Sequence, residues 1–415
     1  MALALATVYR TMAGRGPGSY ITVPDLAIAA LLCTGAISLV VANPMFRSGI
    51  PAGAEYYGFR DAVFFMLLYF VGRSTPEIAR SDRLFKHLFL ITIVISVVAI
   101  LERIFVTPEM LVLLGVASYL TDFLGLSSHT AGNEYGLPIN YWTWFGGVAV
   151  QRAGSVFMHS QGFALPFLLL MPAATAFVFN PKASRRGLLY LGYAIVWTGL
   201  LLSITRMTIL LCIAQVALFF LLKRRPERAL GTISFAFFAM LLTLVVMQGG
   251  LTFVWETLTF QTGSSESHLQ DWSEGIVAFV QQPWGYGLGT TDSPPVRFGR
   301  EPITSDNMYL SYAVQLGIVG LAALMTMFAA IMARAWRTAW DGLTEASRRF
   351  GMVIFITAIG ILGNGLTSIV FSSNMLAYVF IWMAGALVTV SEAALSKSAV
   401  AKRQIRPGSL EVVIS

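Results

Sequence analysis

Arg206 is the residue whose position most directly suggests chemistry. It interrupts the apolar segment LLLSITRMTILLC, and we predict that an apolar helix starts there. A cation next to membrane hydrocarbon costs about 3 kcal/mol on insertion scales and usually has a partner. The free N–H groups and the dipole of a helix N-terminus also favour anions. Arg206 is therefore a candidate ligand for an anion such as a pyrophosphate, the alternative being an arginine that extends its charge to the membrane surface.

Arg152 and His159 lie in a similar segment, QRAGSVFMHSQGF, immediately before another apolar run. The argument for an anion site applies to Arg152 as well, with a fully solvated guanidinium as the alternative. His159 stands seven residues further on. We interpret it as a capping or interfacial histidine, with a catalytic role as the alternative.

The longest polar interval, residues 249–306, contains the sequence SESHLQDW. A helix that starts near Ser265 would place His268 and Trp272 four residues apart on one face. His268 is then a candidate base or a contact to an anionic or sugar substrate, and Trp272 is a candidate substrate contact. The alternative is a solvated amphipathic helix with a buried stripe of Leu269, Trp272, Ile276 and Phe279.

Three glycines follow in the same interval, in the segment PWGYGLGTTD. Gly285, Gly287 and Gly289 resemble a phosphate-binding loop only loosely, because no strand and helix bracket them in the nucleotide-binding order. We predict a tight turn that requires positive φ angles, which glycine adopts without steric cost.

Asp306 comes just before the chain re-enters an apolar run, in PITSDNMYL. If it faces the same cavity as the arginines, its carboxylate is a candidate general base. The alternative is that Ser305 or Asp306 caps the following helix. Arg297 and Arg300, earlier in the interval, are candidates for binding a polyanionic lipid head group, or they only solvate the loop.

The composition identifies the class of protein. Apolar residues make up 56% of the chain and charged residues 12%, and the mean hydropathy is +0.71. A soluble chain carries about 25% charged residues, and apolar runs of about 20 residues match a bilayer core about 30 Å thick. We predict one all-α, polytopic membrane domain over residues 1–415, with about ten transmembrane helices and at most twelve. The predicted spans are 22–42, 56–73, 86–106, 161–180, 187–205, 206–223, 229–249, 307–333, 350–370 and 374–392.

The positions of the lysines and arginines predict the orientation. One set of connectors holds 21 of the 28, and the opposite set holds only Arg47, Arg152, Arg297 and Arg300. Because positive loops stay inside, both termini are predicted in the cytoplasm and the loop 249–306 outside. Topology signals of this kind, not nucleic-acid binding, explain the net charge of +7. Residues 107–160 are also predicted outside, with a re-entrant or interfacial helix or a close pair of crossings.

Two pairs of adjacent charges, Arg60 with Asp61 and Glu102 with Arg103, fall near the outer ends of predicted spans. Adjacent residues do not share a helix face, so each charge is expected to find its partner elsewhere. The outer intervals contain no Asp-x-Asp pair and the histidines are scattered, so no metal site is predicted. We see no internal repeat, which disfavours a secondary transporter.

Several short motifs follow one another between Gln151 and Gly320. An arginine and a glycine before a span, Arg152 and Gly154, precede an S-x-T-R step that ends at Arg206. An outer loop with H-x-x-x-W and P-W-G-Y-G-L-G comes next, and then D-N-x-Y-L and G-I-V-G. Each motif alone is loose, but their order and topology resemble the bacterial O-antigen ligase and polymerase superfamily.

This resemblance implies a glycosyltransferase of the C-type membrane fold that uses undecaprenyl-pyrophosphate-linked sugars and no nucleotide sugar, cofactor or metal. It implies that Arg206 binds the donor pyrophosphate. Ligases tend to carry an arginine before the loop tryptophan, where this chain has His268, and a histidine before the re-entering span, where it has Asp306. The second difference favours a polymerase of O-antigen or exopolysaccharide repeats, with Asp306 or His268 as the base.

The alternatives are an O-antigen ligase that transfers glycan to an acceptor such as lipid A core, and a lipid-linked oligosaccharide flippase. In each case the resemblance implies a multi-pass protein of the bacterial inner (cytoplasmic) membrane. Its partners would be undecaprenyl-pyrophosphate-linked glycans and membrane lipids, with chain-length regulator and flippase proteins as further candidates and no nucleic acid.

Overall fold

The structure, a computed structural model, is almost entirely α-helical where it describes the chain. The two strands of the described residues form an antiparallel hairpin in which Trp142 lies opposite Gln151 and Phe145 lies opposite Val148. The all-α prediction did not anticipate this hairpin, because its aromatic sequence also fits a membrane-surface belt. The residues described are 21–42, 50–119, 122, 137, 141–145, 148–182, 184–234, 263–303, 306–372 and 374–404.

The α-helices and strands are, in chain order, α1 (Val23–Ile37), α2 (Ala52–Ala62), α3 (Leu68–Arg73), α4 (Arg83–Phe105), α5 (Pro108–Leu113), α6 (Val116–Ser118), β1 (Trp142–Phe145), β2 (Val148–Gln151), α7 (Ser160–Ala164), α8 (Phe167–Val178), α9 (Arg186–Leu202), α10 (Arg206–Leu222), α11 (Gly263–Gln281), α12 (Ser293–Val296), α13 (Met308–Asp341), α14 (Glu345–Asn364) and α15 (Met375–Gln404). Residues 226–234 are also helical.

Within the described residues, six helices are long and apolar enough to cross a membrane. They are Val23–Val40, Arg83–Phe105, Ser160–Val178, Met308–Asp341, Glu345–Asn364 and Met375–Ala394. Two shorter apolar helices are α9 and α10. These eight segments coincide with predicted spans, in agreement with a polytopic, α-helical membrane protein. The predicted span 229–249 lies outside the described residues beyond residue 234, so the total of about ten stays a prediction.

The predicted span 56–73 is wrong as a single helix. α2 ends at Ala62, a 3₁₀ turn covers Phe64–Leu67, and α3 follows. The amide of Met66 bonds to the Val63 carbonyl (3.0 Å), while the Ala62 carbonyl accepts a hydrogen bond from the Tyr312 hydroxyl (2.6 Å). This contact with α13 ends the helical ladder at Ala62, and a hydropathy pattern cannot reveal it.

Side-chain contacts group the connectors at two opposite ends, which we call the Asp82 end and the Glu102 end after residues at the two termini of α4. At the Asp82 end, Arg349 makes a bidentate ion pair with the Asp82 carboxylate, with N–O distances of 2.6 and 3.0 Å. Asn180 donates to the same carboxylate at 3.0 Å. The starts of α4 and α14 and the end of α8 therefore meet there.

A second ionic group at the Asp82 end surrounds Arg73, whose side chain is 1% exposed. Its guanidinium lies 3.4 Å from the Asp25 carboxylate and 3.2 Å from that of Glu392. Tyr69 donates to Asp25 at 2.9 Å. Buried charges persist when they are paired in this way. The contacts join the start of α1, the end of α3 and the later part of α15, as expected if successive spans alternate in direction. Which of the two ends faces the cytoplasm stays a prediction from the charge count.

α13 is broken close to the Glu102 end. Its 34 residues would extend about 51 Å as one helix, well beyond a bilayer core of about 30 Å. Gly317 has φ 66° and ψ −167°, which separates a first half-helix of residues 308–316 from the longer segment that follows. The amides of Tyr286 and Gly287 donate to the carbonyls of Val314 (2.7 Å) and Gln315 (3.1 Å). The glycine turn thus satisfies backbone groups that the break leaves open.

Gly285, Gly287 and Gly289 have φ angles of 95°, 101° and 78°, so the predicted turn with positive φ is confirmed. Two contacts fix its position. The amide of Ile318 donates to the Pro283 carbonyl (2.8 Å), and the amide of Gly289 donates to the Gln315 side chain (2.9 Å). The turn is therefore part of the packing around the break in α13.

Replacing Gly317 with alanine is expected to destabilise the protein by roughly 3 kcal/mol or more. This backbone conformation is essentially restricted to glycine, and a Cβ atom would lie 2.5 Å from the Trp284 carbonyl carbon. Thermal unfolding of the detergent-solubilised protein measures the loss. Gly187→Ala is the matched control, since a Cβ atom at Gly187 meets nothing within 4 Å. Equal unfolding temperatures for the two variants would contradict the account of the break.

Candidate functional site

Arg152 follows directly after the hairpin and reaches across to the connector between α9 and α10. Its amide donates to the Tyr141 carbonyl (2.7 Å), which fixes the backbone. Its guanidinium donates from Nε to the Ser203 carbonyl (2.9 Å) and from a terminal nitrogen to the Thr205 hydroxyl (2.8 Å). The pKa of Arg152 is lowered to about 10, mainly by burial and to a smaller extent by the positive charge of Arg206. The structure therefore brings the two arginines singled out in the sequence close together.

Arg206 is the first residue of α10, as predicted, and its side chain is exposed. The chain turns sharply before it, since Ile204 has a positive φ of 49° and Thr205 is in the N-cap position. Two like charges at a helix N-terminus repel each other and the positive end of the helix dipole. An anion bound between them would relieve both repulsions, so the arrangement is suited to a phosphate or pyrophosphate.

Glu102 holds the segment that follows Arg152. Its carboxylate, near the end of α4, accepts hydrogen bonds from the amides of Gly154 (3.1 Å) and Ser155 (2.5 Å). The Ser155 hydroxyl donates to the Ile95 carbonyl (2.7 Å). The expectation that Glu102 has a partner elsewhere is confirmed. Sequence reasoning did not select it as a site residue, because the only signal was an acid near the end of an apolar run.

His159 caps α7, as the sequence interpretation proposed. Its Nδ1 accepts a hydrogen bond from the Gly162 amide at 3.0 Å, which requires that nitrogen to be unprotonated. Burial, and next the charge of Arg152, lowers the pKa of His159 from 6.5 to about 4. The imidazole is therefore neutral at neutral pH and belongs to the support of the arginine pair.

The pKa of His159 predicts how stability depends on pH. Between pH 6.5 and 4 the unfolded chain binds a proton at His159 that the folded chain does not, so stability falls across this window by up to about 3 kcal/mol. Above pH 6.5 His159 is neutral in both the folded and the unfolded chain, so its full contribution to stability is present. We expect His159→Asn, which keeps a capping oxygen but does not titrate, to lose less stability between pH 6.5 and 4. Thermal unfolding at several pH values tests this, and parallel curves for the two proteins would contradict it.

Asp306 does not cap α13, so that alternative is wrong; Asn307 does. The Asn307 carboxamide accepts from the Leu310 amide (3.0 Å) and donates to the Leu366 carbonyl (3.1 Å). A carboxylate could accept the first bond but not donate the second. Ser305 lies outside the described residues. Asp306 is half-buried beside this cap.

The start of α13 is connected to the start of α10 through the end of α14. The amide of Met308 donates to the Gly365 carbonyl (2.8 Å). The neighbouring Asn364 donates from its carboxamide to the hydroxyl of Thr208 (2.9 Å), in the first turn of α10. Asp306 lies two residues before Met308, and Arg206 lies two residues before Thr208. The structure therefore places both at the Glu102 end.

α11 contains His268 and Trp272, and it begins close to the position expected from the sequence. The side chain of His268 lies outside the described part of the structure. Trp272 and Phe279 are half-buried, but Leu269 and Ile276 are exposed, so the predicted stripe of four buried residues is wrong for two of them. The buried side of α11 instead contains the small residues Gly275 and Ala278. No contact among the described residues joins Trp272 to the arginine pair.

Arg297 lies on a different side of the first half-helix of α13, with Arg60 of α2. Their guanidinium carbons are 5.1 and 4.7 Å from the centre of the same ring, Tyr57. Arg60 also makes two hydrogen bonds to Asp61, at 2.7 and 3.1 Å, so the expectation that Arg60 finds its ionic partner elsewhere is wrong. Long side chains can curl along the helix surface even when their Cβ atoms point apart. Arg300 is exposed.

Residues 191–325 match the family model described as O-Antigen ligase. No curated protein matches the chain. The family match confirms the resemblance drawn from the motifs. The matched residues include Arg206, the described loop and Asp306. Arg152 and Glu102 precede the match: Arg152 contacts Thr205, next to Arg206, and Glu102 binds the segment that follows Arg152.

Proposed function

Because residues 191–325 match the O-antigen ligase family model, we propose that the chain is a polymerase that joins oligosaccharide repeats carried on undecaprenyl pyrophosphate. Members of this family act on lipid-linked glycans, and the match therefore supports the assignment of a membrane glycosyltransferase. In this proposal the reaction takes place at the outer face of the cytoplasmic membrane, with both chain termini in the cytoplasm. The Glu102 end is then the outer end.

The observation that carries the proposal is the pairing of Arg152 and Arg206 at the N-terminus of α10. When the glycan leaves its carrier, negative charge develops on the pyrophosphate oxygen. Two guanidinium groups and the helix terminus, fixed before the reaction starts, stabilise that charge without reorganisation. Such stabilisation is often the largest single contribution to catalysis, and here it needs no metal ion. The buried carboxylate of Glu102 positions the segment that carries Arg152.

Asp306 is our candidate for the base, with His268 as the alternative. A hydroxyl of the incoming repeat attacks the anomeric carbon of the donor glycan, and the bond from that carbon to the pyrophosphate oxygen breaks. The hydroxyl proton passes to the base, and undecaprenyl pyrophosphate departs with the bonding electrons. The half-buried position of Asp306, next to the Asn307 cap and at the same end as Arg206, supports this role.

A polymerase must hold a second lipid pyrophosphate, and the structure offers a second cationic group. The first half-helix of α13 contacts α2 on one side, through Tyr312 and Ala62, and the end of α14 on another, through Met308 and Gly365. Arg60 and Arg297 lie on the α2 side, and Arg152 and Arg206 lie beyond α14. We assign the donor to Arg206 and Arg152, and the acceptor lipid to Arg297, Arg60 and Arg300.

A cavity of about 360 Å³ between α11 and the glycine turn is our candidate for the glycan itself. It is lined by Ser273, Glu274, Val277, Ala278, Gln281, Tyr286 and Ile303. A carboxylate, a carboxamide and a hydroxyl suit sugar hydroxyl groups, and the Tyr286 ring suits the apolar face of a sugar. Trp272, on the same helix, is assigned to the edge of this glycan path.

The family match fits a ligase as well as a polymerase. A ligase would accept only one lipid pyrophosphate as donor, so the Arg60 and Arg297 group would then have no second pyrophosphate to bind. A flippase would need charges along a path through both leaflets. In the described residues the buried ion pair of Arg73 and the half-buried Arg152 lie at opposite helix ends, which does not form such a path.

Analysis of lipid-linked glycans after gene deletion tests the proposal. We expect single repeats on undecaprenyl pyrophosphate to accumulate at the outer face of the membrane, with no polymer. Polymer that is made but not attached to its acceptor would instead establish a ligase. Repeats that accumulate only on the cytoplasmic face would establish a flippase.

A further inference from the structure

α11 has three distinct faces along its described part. One faces the protein and contains Gly275 and Ala278. A narrow strip is polar and exposed. The third face is apolar and exposed, because residues 269, 276 and 280 recur at spacings of seven and four, with residue 277 beside them. The polar strip consists of Gln270, Glu274 and Gln281, and the apolar face consists of Leu269, Ile276 and Val280. Val277, which also lines the cavity assigned to the glycan, lies at the border of this face, and the exposed Ser273 donates its hydroxyl to the Gln270 carbonyl (2.8 Å).

This apolar face is unusually open for a loop in water. Its side chains are between 48% (Leu269) and 69% (Val280) exposed. Single exposed apolar residues are normal on proteins, but three on one face of a helix indicate a surface that something apolar covers. A helix that is polar on one side and apolar on another is typical of segments that lie in a membrane interface.

Exposed apolar residues also occur where the chain passes from α11 toward the apolar helix α13. Trp284, 70% exposed, follows the end of α11. Its neighbour Pro283 accepts a hydrogen bond from the Ile318 amide at 2.8 Å, just after the break in α13. Ile318 and Val319 are themselves exposed, on a helix that is apolar and long enough to cross a bilayer. Exposed apolar residues therefore lie on both sides of this contact, on α11 with Trp284 and on α13.

We propose that α11 binds the lipid surface, lying in the outer interface of the bilayer with its apolar face in the acyl region and its polar strip toward water. Trp284 lies at the junction with α13, where the amphipathic indole ring favours the head-group level. The assignment depends on the chain crossing a membrane and not on the reaction that it catalyses. Its consequence is that the loop is held at the depth of the head groups, where the pyrophosphate of a lipid-linked glycan must lie.

Fluorescence quenching in lipid nanodiscs tests this assignment. In a background with Cys33→Ser and Cys212→Ala, the variants Val280→Cys and Glu274→Cys are each labelled with an environment-sensitive dye. We expect a nitroxide near the top of the lipid acyl chain to quench the Val280→Cys label about threefold more than the Glu274→Cys label. Aqueous iodide should show the reverse preference. Ile276→Cys provides an independent position on the apolar face if Val280→Cys does not fold.

Two results would overturn the proposal. If iodide quenches the labels at Val280 and Glu274 equally, the apolar face is in water. If neither quencher reaches the label at Val280, protein covers this face, either another part of the chain or a second copy. Because the experiment does not measure glycan transfer, its outcome is independent of whether the protein is a polymerase.

Discussion

Replacing Arg206 with alanine is expected to lower the rate of glycan transfer by about 10²- to 10³-fold, while the protein still folds and inserts. The exposed side chain at the start of α10 is not part of the described core, so its loss removes charge and little packing. The effect should fall mainly on the transfer rate, because the developing charge on the leaving pyrophosphate exceeds the charge of the bound donor. Chain-length analysis of glycan from cells that express the variant measures the loss.

Arg103→Ala is the matched control, since Arg103 is an exposed arginine in the last turn of α4. It should leave polymer length unchanged, and both variants should be recovered from the membrane in equal amounts. Arg206→Lys should be intermediate, because an ammonium group supplies charge but not the two-point contact of a guanidinium. Polymer of normal length in the Arg206→Ala strain would exclude the proposed role in binding pyrophosphate.

Replacing Arg152 with alanine is expected to lower transfer by about 10²-fold and also to destabilise the protein by about 2 kcal/mol. Arg152 contributes charge next to Arg206, and its guanidinium also ties the hairpin end to Ser203 and Thr205. Its loss leaves the Ser203 carbonyl without this donor and frees the turn that positions Arg206. Transfer rate and unfolding temperature of the purified variant measure the two effects separately.

Thr205→Val separates the two contributions of Arg152. It removes the hydroxyl acceptor but keeps both arginines, so we expect a loss of about tenfold with the charge still in place. Arg152→Lys keeps the charge but cannot make both bonds, and should lie between Thr205→Val and Arg152→Ala. If Thr205→Val were as inactive as Arg152→Ala, geometry rather than charge would dominate this site.

The sequence predicted those features that depend on local composition and on the order of the spans. Apolar runs located eight of the helices, and the alternation of connectors explains why Asp82 meets Arg349 while Glu102 meets Gly154 at the other end. The turn with positive φ at Gly285 followed from glycine spacing. The start of α10 at Arg206 followed from the interrupted apolar pattern.

Features set by contacts between distant segments could not be predicted. The carboxylate of Glu102 finds its amide donors about fifty residues later, and no periodicity encodes that distance. The helix end at Ala62 depends on the hydroxyl of Tyr312. The break at Gly317 interrupts no apolar pattern, so the only signal in the sequence was the glycine itself, the first residue of the G-I-V-G motif. The choice of Asn307 over Asp306 as the cap needed the Leu366 carbonyl, which only the fold supplies.

The most direct test of the polymerase assignment is a reaction with purified protein in liposomes that contain one synthetic undecaprenyl-pyrophosphate-linked repeat as the only glycan. We expect a ladder of lengthened lipid-linked glycans, with one undecaprenyl pyrophosphate released for each new linkage and no nucleotide sugar required. Arg206→Ala protein should form no ladder. If active protein lengthens no glycan under these conditions, and instead transfers the repeat only when a different acceptor lipid is added, the protein is a ligase and the polymerase assignment is wrong.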